Sequence, residues 1–270
     1  MKTAVFTKFM KGLTLEEICK VTRDMGFEGV DLLIRPGYQL QPGDSKEKLV
    51  EAFLYIARRG LALPIVTTDF THAGQEGAET VFAACGETGV PYLRLGWWKY
   101  RPEMTYRRIL EQARRGLATL VKLGETYGVK PLLQLHGETI HPGAGLAAKL
   151  VEGFTPAEVG IYVDPGNMVN KDGYEDWTMG LDVIDGYLEV VGVKNADKIR
   201  KPAVQGPNKW EWERRWVPLD EGLVDWVFYL ELLKKRGYRG WLSFHSHYET
   251  DLHTCTATTK HDLDFVRKLL

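Results

Sequence analysis

The chain has no CxxC pair and no even set of cysteines: Cys19, Cys85 and Cys255 are its only three, widely spaced. That pattern excludes a disulfide scaffold and a thiolate zinc site, and the three thiols read as reduced. The chain also lacks an excess of either charge. With 35 Lys and Arg against 36 Asp and Glu, its formal net charge is -1, so no overall field favours nucleic acid or an anionic membrane as partner. No stretch approaches the roughly 20 apolar residues of a membrane-spanning helix. Met1 to Lys11 lacks the apolar run of a signal peptide. The expectation is a cytoplasmic protein acting on a small molecule, neutral or modestly anionic, with neither nucleic acid nor membrane as partner.

What is present is a regular alternation. Eight short β-rich runs occur: Thr3 to Phe6, Gly29 to Ile34, Ala62 to Thr67, Pro91 to Leu95, Leu132 to His136, Gly160 to Asp164, Val190 to Lys194 and Trp241 to His245. Between them, segments such as Thr14 to Asp24, Ser45 to Arg58, Tyr106 to Tyr127 and Leu223 to Lys235 repeat apolar residues at helical spacing. Thr14 followed by Glu17 makes a capping box, and Gly26 and Gly128 each follow a helical run where a left-handed residue can end it. Strand-then-helix repeats imply a parallel sheet, and eight of them favour closure into a (β/α)8 TIM barrel. At 270 residues, with no linker or shift of composition, the chain reads as a single domain, 1–270. The connection Asn195 to Glu221 is longer than a structureless loop should be, and is a candidate lid.

Alternate residues of a barrel strand point inward or toward the covering helices, so outward positions should be apolar. Taking Leu133, Leu135, Ile161, Val163, Val191, Val193, Leu242 and Phe244 as outward turns Gln134, His136, Tyr162, Asp164, Gly192, Lys194, Ser243, His245 and His247 inward. The same rule turns in Asp31 and Arg35 on the second strand and Tyr92 and Arg94 on the fourth. These polar residues sit late in their strands, at the C-terminal mouth where barrel enzymes place their chemistry. For any one of them a buried ion-pair network is an equal reading. The whole set at one end favours a site, because charges inside a barrel are costly unless they pair or meet a ligand.

Within that site, His245 is the candidate base, since imidazole titrates near neutrality. Lys194 could stabilise an enolate or form a Schiff base, with Gln134 beside it. Arg35 and Arg94 suit a carboxylate or phosphate on the substrate, and His136 and His247 are further contacts. Trp97 and Trp216 could stack on a sugar, although anchoring loops to the rim serves equally well for each Trp. His141, His253 and His261 read as structural.

These residues also carry a resemblance over nearly the whole chain. Met25-Gly26-Phe27-Glu28-Gly29-Val30-Asp31, Val159 to Asn167, Val193-Lys194-Asn195, Asp220 to Trp226 and Gly237 to Ser243 resemble, in order and spacing, the motifs of the xylose isomerase-like TIM barrels, sugar phosphate isomerases and epimerases. The resemblance implies a sugar or sugar-acid isomerase or epimerase that moves a proton next to a carbonyl. Dimers and tetramers are common in that family, so a homo-oligomer is expected. The family holds one divalent metal on Glu, Asp, His and Glu from strands five to eight. Only Asp164 matches; Gln134, Gly192 and His245 stand at the other three positions. A metal, Mn, Zn or Mg, would therefore rest on Asp164, Gln134 and His245, with one anionic ligand where the family has three. A metal-free cationic site is the competing reading. A lyase or dehydratase on the same barrel, or a barrel that binds without turnover, are alternative functions.

Overall fold

The computed structural model describes residues 1–171, 175–204 and 209–270. From the N-terminus, β1 (Lys2–Phe6) runs through a 3-10 turn (Thr7–Met10) into α1 (Leu15–Met25). Then follow β2 (Gly29–Leu33), α2 (Lys46–Arg58), β3 (Ala62–Thr67), α3 (Ala78–Thr88), β4 (Tyr92–Arg94), α4 (Tyr106–Tyr127), β5 (Lys130–Gln134), α5 (Ala144–Val151) and β6 (Gly160–Val163). The short helices α6 (Pro165–Asn170) and α7 (Trp177–Val183) lead to β7 (Leu188–Val193). After it come β8 (Asn195–Pro202), β9 (Trp210–Val217), α8 (Trp226–Lys235), β10 (Trp241–Phe244) and α9 (Leu252–Leu269). β1 to β7 and β10 pair in parallel and close on themselves in the order β1-β10-β7-β6-β5-β4-β3-β2. All eight runs expected as strands are barrel strands.

Local chemistry explains the boundaries. Thr14 caps α1 with both halves of a capping box, and Gly26 ends it in the left-handed conformation. Ser45 and Thr105 accept the N3 amides of α2 and α4. Leu133, Leu135, Ile161, Val163, Val191, Val193, Leu242 and Phe244 all lie in the core between strands and helices, where a fully buried side chain of this kind contributes about 1.5–3 kcal/mol. Inside the barrel, Ile65, Leu132, Tyr162 and Val190 pack with Tyr92 and Trp241. The N-terminal end is closed by Lys130 and Tyr92, which both bond Glu189, at 2.5 and 2.8 Å. The interior is therefore apolar below and polar at the C-terminal mouth, as the strand parity requires.

The expected lid is not a structureless loop. β8 and β9 form an antiparallel ribbon in register from Asn195 opposite Val217 to Pro202 opposite Trp210. Residues 205–208 of that connection lie outside the described residues. Asn195 fixes the base: its side-chain amide donates to the carbonyls of Leu219 and Val224, and its oxygen accepts from the amides of Ala196 and Val224. Trp210 and Trp212 stay exposed on the ribbon, whereas Trp216 turns to the mouth of the barrel. No helix among the described residues is long and apolar enough to cross a membrane.

Candidate active site

The C-terminal mouth opens on a cavity of about 400 Å³. Of the residues singled out from the sequence, Arg35, Arg94, Trp97, Gln134, His136, Lys194, Trp216, His245 and His247 all line it. Asp164 lies directly beneath, fully buried. His253 and His261 are exposed on α9, away from the mouth.

Asp164 is the hub of one half of the site. Its Oδ1 caps α6 by accepting the Asn167 amide at 2.9 Å. Its Oδ2 accepts three donors: Gln134 Nε2 at 2.8 Å, Asn167 Nδ2 at 2.9 Å and Lys194 Nζ at 3.0 Å. Burial pushes the carboxyl up and the ammonium down from their usual ranges, while each charge pulls the other back. Gln134 turns its oxygen the other way, to Arg94 Nη1 at 3.2 Å. Arg94 also donates to the Thr68 carbonyl at 3.0 Å and lies 4.9 Å from the Trp97 ring centre. Burial pushes its guanidinium down to about 10. Trp97 in turn stacks on His136, with ring centres 4.1 Å apart.

The other half is built on His245. Its Nε2 lies 2.6 Å from the Tyr162 hydroxyl, which bonds Asp31 Oδ2 at 3.1 Å. Asp31 is fully buried and also accepts from Thr67 at 2.6 Å and Ser243 at 2.8 Å. Phe6 stacks on the imidazole at 4.5 Å. Burial, then the charges of Lys194, Arg94 and Lys8, hold His245 well below the usual histidine range, so the ring is neutral at pH 7. His247 is depressed by burial, then by Lys194, His245 and Lys8, and His136 is pushed down to about 4, chiefly by burial.

This arrangement does not fit the divalent ion expected on Asp164, Gln134 and His245. Asp164 already meets four donors, three of them on Oδ2, the Gln134 amide presents its nitrogen to Asp164, and His245 Nε2 is bonded to Tyr162. Gly192 leaves no room for the missing histidine, because a Cβ there would stand 2.9 Å from Asp164 Oδ2 and 3.1 Å from the Tyr162 ring. No group of three His, Cys, Asp or Glu able to hold a metal occurs among the described residues. The Lys194 ammonium supplies the positive charge beside Asp164 instead.

The sequence reading missed Lys8 and gave Tyr162 and Asp31 no chemical role. Lys8 stands in the 3-10 turn just after β1, beyond the reach of strand parity, and lines the mouth beside Phe6.

His141 behaves as expected of a structural residue: it is fully buried, and neither ring nitrogen has a hydrogen-bond partner among the described residues. Burial pushes it down to about 3. A depressed folded pKa contributes stability that is present above the unfolded value and lost as pH falls toward the folded one. His141→Leu removes that loss. The stability gap between variant and wild type should therefore widen by about 1.4 kcal/mol per pH unit over about pH 6 to 4 in urea unfolding. A gap independent of pH would contradict the assignment.

With this geometry in view, the comparisons with known proteins are direct. The family model described as xylose isomerase-like TIM barrel matches residues 19–269. The chain belongs to that family. Solved structures of xylose isomerase-like fold agree, among them an L-ribulose 3-epimerase at 16% identity, covering 100% of this chain and 95% of the other with a TM-score of 0.73. The IOLI protein with a bound zinc atom is similar at 16% identity, 100% and 99% coverage and a TM-score of 0.74. A xylose isomerase-like TIM barrel protein from Mycobacterium smegmatis, in complex with magnesium, is similar at 16% identity, 95% and 89% coverage and a TM-score of 0.69. At these identities the likeness speaks for the fold alone. No curated protein matches the chain.

Proposed function

We propose that this member of the xylose isomerase-like family is a sugar or sugar-acid isomerase or epimerase that abstracts a proton next to a carbonyl, with His245 as the base. One observation carries the reading: the chain Asp31, Tyr162, His245. The Tyr162 hydroxyl has one proton. Burial raises the Asp31 carboxyl, but the donors Thr67, Ser243 and Tyr162 favour its ionised form; taken as ionised, it receives the Tyr162 hydrogen bond, so the phenol oxygen accepts from His245 Nε2–H. That fixes the tautomer with the lone pair on Nδ1, which has no hydrogen-bond partner among the described residues, on a ring that lines the cavity. The ring is neutral at pH 7, so that lone pair is available to accept a proton.

Proton removal leaves an enediolate whose oxygen bears the charge. Lys194 and Arg94, both nearly fully buried at the cavity floor, provide fixed positive charge for it in a poorly screened site. Returning the proton to the former carbonyl carbon, while the hydroxyl proton of the enediolate passes to its other oxygen, completes an isomerisation. An epimerisation needs, in addition, a carrier on the opposite face that holds a proton to deliver, a role for which His136, neutral at pH 7, carries no imidazolium proton.

The test is solvent exchange. Keto sugars and keto sugar acids incubated with the protein in deuterium oxide should incorporate one deuteron at the carbon next to the carbonyl, read by proton NMR. Loss of water from the substrate instead would establish a dehydratase. Tight binding with no exchange across the panel would leave a binding barrel without turnover.

A further inference from the structure

We propose that the cavity takes a substrate bearing a carboxylate or phosphate, and that Arg35, Arg94 and Lys8 form the subsite for that anion. The inference deepens the function proposed above and rests on the same cavity being the substrate site.

The cavity is divided by charge and by strand. Lys8 follows β1, Arg35 follows β2 and Arg94 ends β4, whereas Lys194 follows β7 and His245 follows β10. In the barrel order, β1, β2, β3 and β4 are contiguous, and β10 and β7 are neighbours on the far side of β1. Three cations thus occupy one arc of the mouth, and the proposed base and its partner occupy the next. Lys194 is paired with its own carboxylate, Asp164, at 3.0 Å, whereas the other three share the carboxylate of Asp69. Asp69 holds Arg35 at 2.5 Å and reaches Arg94 only at 4.0 Å, from a side chain that is 48% exposed. Lys8 has no ion pair among the described residues. Glu249, exposed at the rim, is the one carboxylate among the lining residues.

Two atoms point to a ligand. The Nε–H groups of Arg35 and Arg94 are both buried and both without a partner. Arg94 is 1% exposed, so its guanidinium has left water while one donor remains unused. A buried unpaired donor on a cation is costly, and an oxyanion is the group that best satisfies guanidinium donors. Lys8, exposed at the rim, adds charge where such a group would enter. The cavity of about 400 Å³ accommodates a compact sugar acid or sugar phosphate.

The test uses isothermal titration of the full chain at low ionic strength with D-gluconate, inorganic phosphate and D-glucitol, the last being the neutral counterpart of gluconate. At least one anion should bind about tenfold or more tightly than D-glucitol, the scale of one or two charge-assisted hydrogen bonds. Gluconate alone binding identifies a carboxylate site, and phosphate alone identifies a phosphate site. Lys8→Ala, a rim substitution that threatens no packing, and Arg35→Gln should each weaken that anion by about fivefold or more while leaving D-glucitol unchanged. Equal affinity for D-gluconate, phosphate and D-glucitol, or anion binding indifferent to both substitutions, overturns the proposal. Anion binding that depends on Arg35 without solvent exchange on any sugar would refute the isomerase reading and leave this subsite standing. Exchange on neutral sugars with no anion preference would do the reverse.

Discussion

Lys194→Met is expected to destabilise the protein by about 3–5 kcal/mol at neutral pH, because it leaves the Asp164 carboxylate buried without its counter-charge. Asp164 is fully buried and Lys194 is 5% exposed, so solvent cannot replace the lost partner. The double variant Asp164→Asn/Lys194→Met removes both charges together. It should recover most of the loss, since replacing a whole buried pair by neutral groups is often close to neutral. The pH dependence separates charge from packing. Without Lys194 the folded pKa of Asp164 rises further, and a raised folded pKa gives stability that is present below the unfolded value and lost as pH climbs through the folded one. The deficit of Lys194→Met should therefore shrink as pH is lowered, whereas a pure packing defect would not change. Urea unfolding of the three variants at two pH values decides. Additive single effects with no recovery in the double variant would show that the pair is not the hub described.

His245→Ala should lower the exchange rate by about 10²–10⁴, the usual contribution of a positioned general base. Tyr162→Phe distinguishes a directed imidazole from one that is merely nearby. Tyr162 is a positioning residue: in the proposed tautomer its hydroxyl accepts a hydrogen bond from His245 Nε2–H at 2.6 Å and donates one to Asp31 at 3.1 Å. Removing that oxygen should lower kcat with little change in KM. It should also release the tautomer, visible as a shift of the His245 ring nitrogens in 15N NMR from the Nε2-protonated pattern. A Tyr162→Phe protein with an unchanged nitrogen spectrum and unchanged kcat would remove the relay from the mechanism. Substrate contacts alone would then have to orient His245.

The barrel was legible because its strands obey a simple constraint. Helices cover the outer face, so Leu133, Ile161, Val191 and Leu242 had to be apolar, and their neighbours had to turn inward. The ribbon β8–β9 follows no such rule. Above its base both faces meet solvent: Lys201 and Arg200 are exposed on one strand, and Trp210 and Trp212 on the other. β8, with no buried face above its base, has no apolar alternation to announce it, and only the run Trp210-Glu211-Trp212-Glu213 in β9 alternates.

The candidate site divides the same way. Parity brought Gln134, Lys194 and His245 to the mouth, since it states where a side chain starts. It does not state where its donors end. That Gln134 gives its nitrogen to Asp164 and its oxygen to Arg94, and that Lys194 fills the place beside Asp164, depends on contacts between strands far apart in sequence. The fit of the expected metal set turns on those directions, not on the residues' positions. Tyr162 shows the converse: it was placed inward, yet its link between Asp31 and His245 joins residues 131 and 83 positions away.

The most direct measurement of the central claim, proton abstraction by His245 with Lys194 in place of a metal, is solvent deuterium exchange on protein stripped with a chelator and assayed in its presence. The account predicts exchange that persists under chelation and is lost in His245→Ala. Exchange abolished by the chelator and restored by added Mn, Zn or Mg would contradict it.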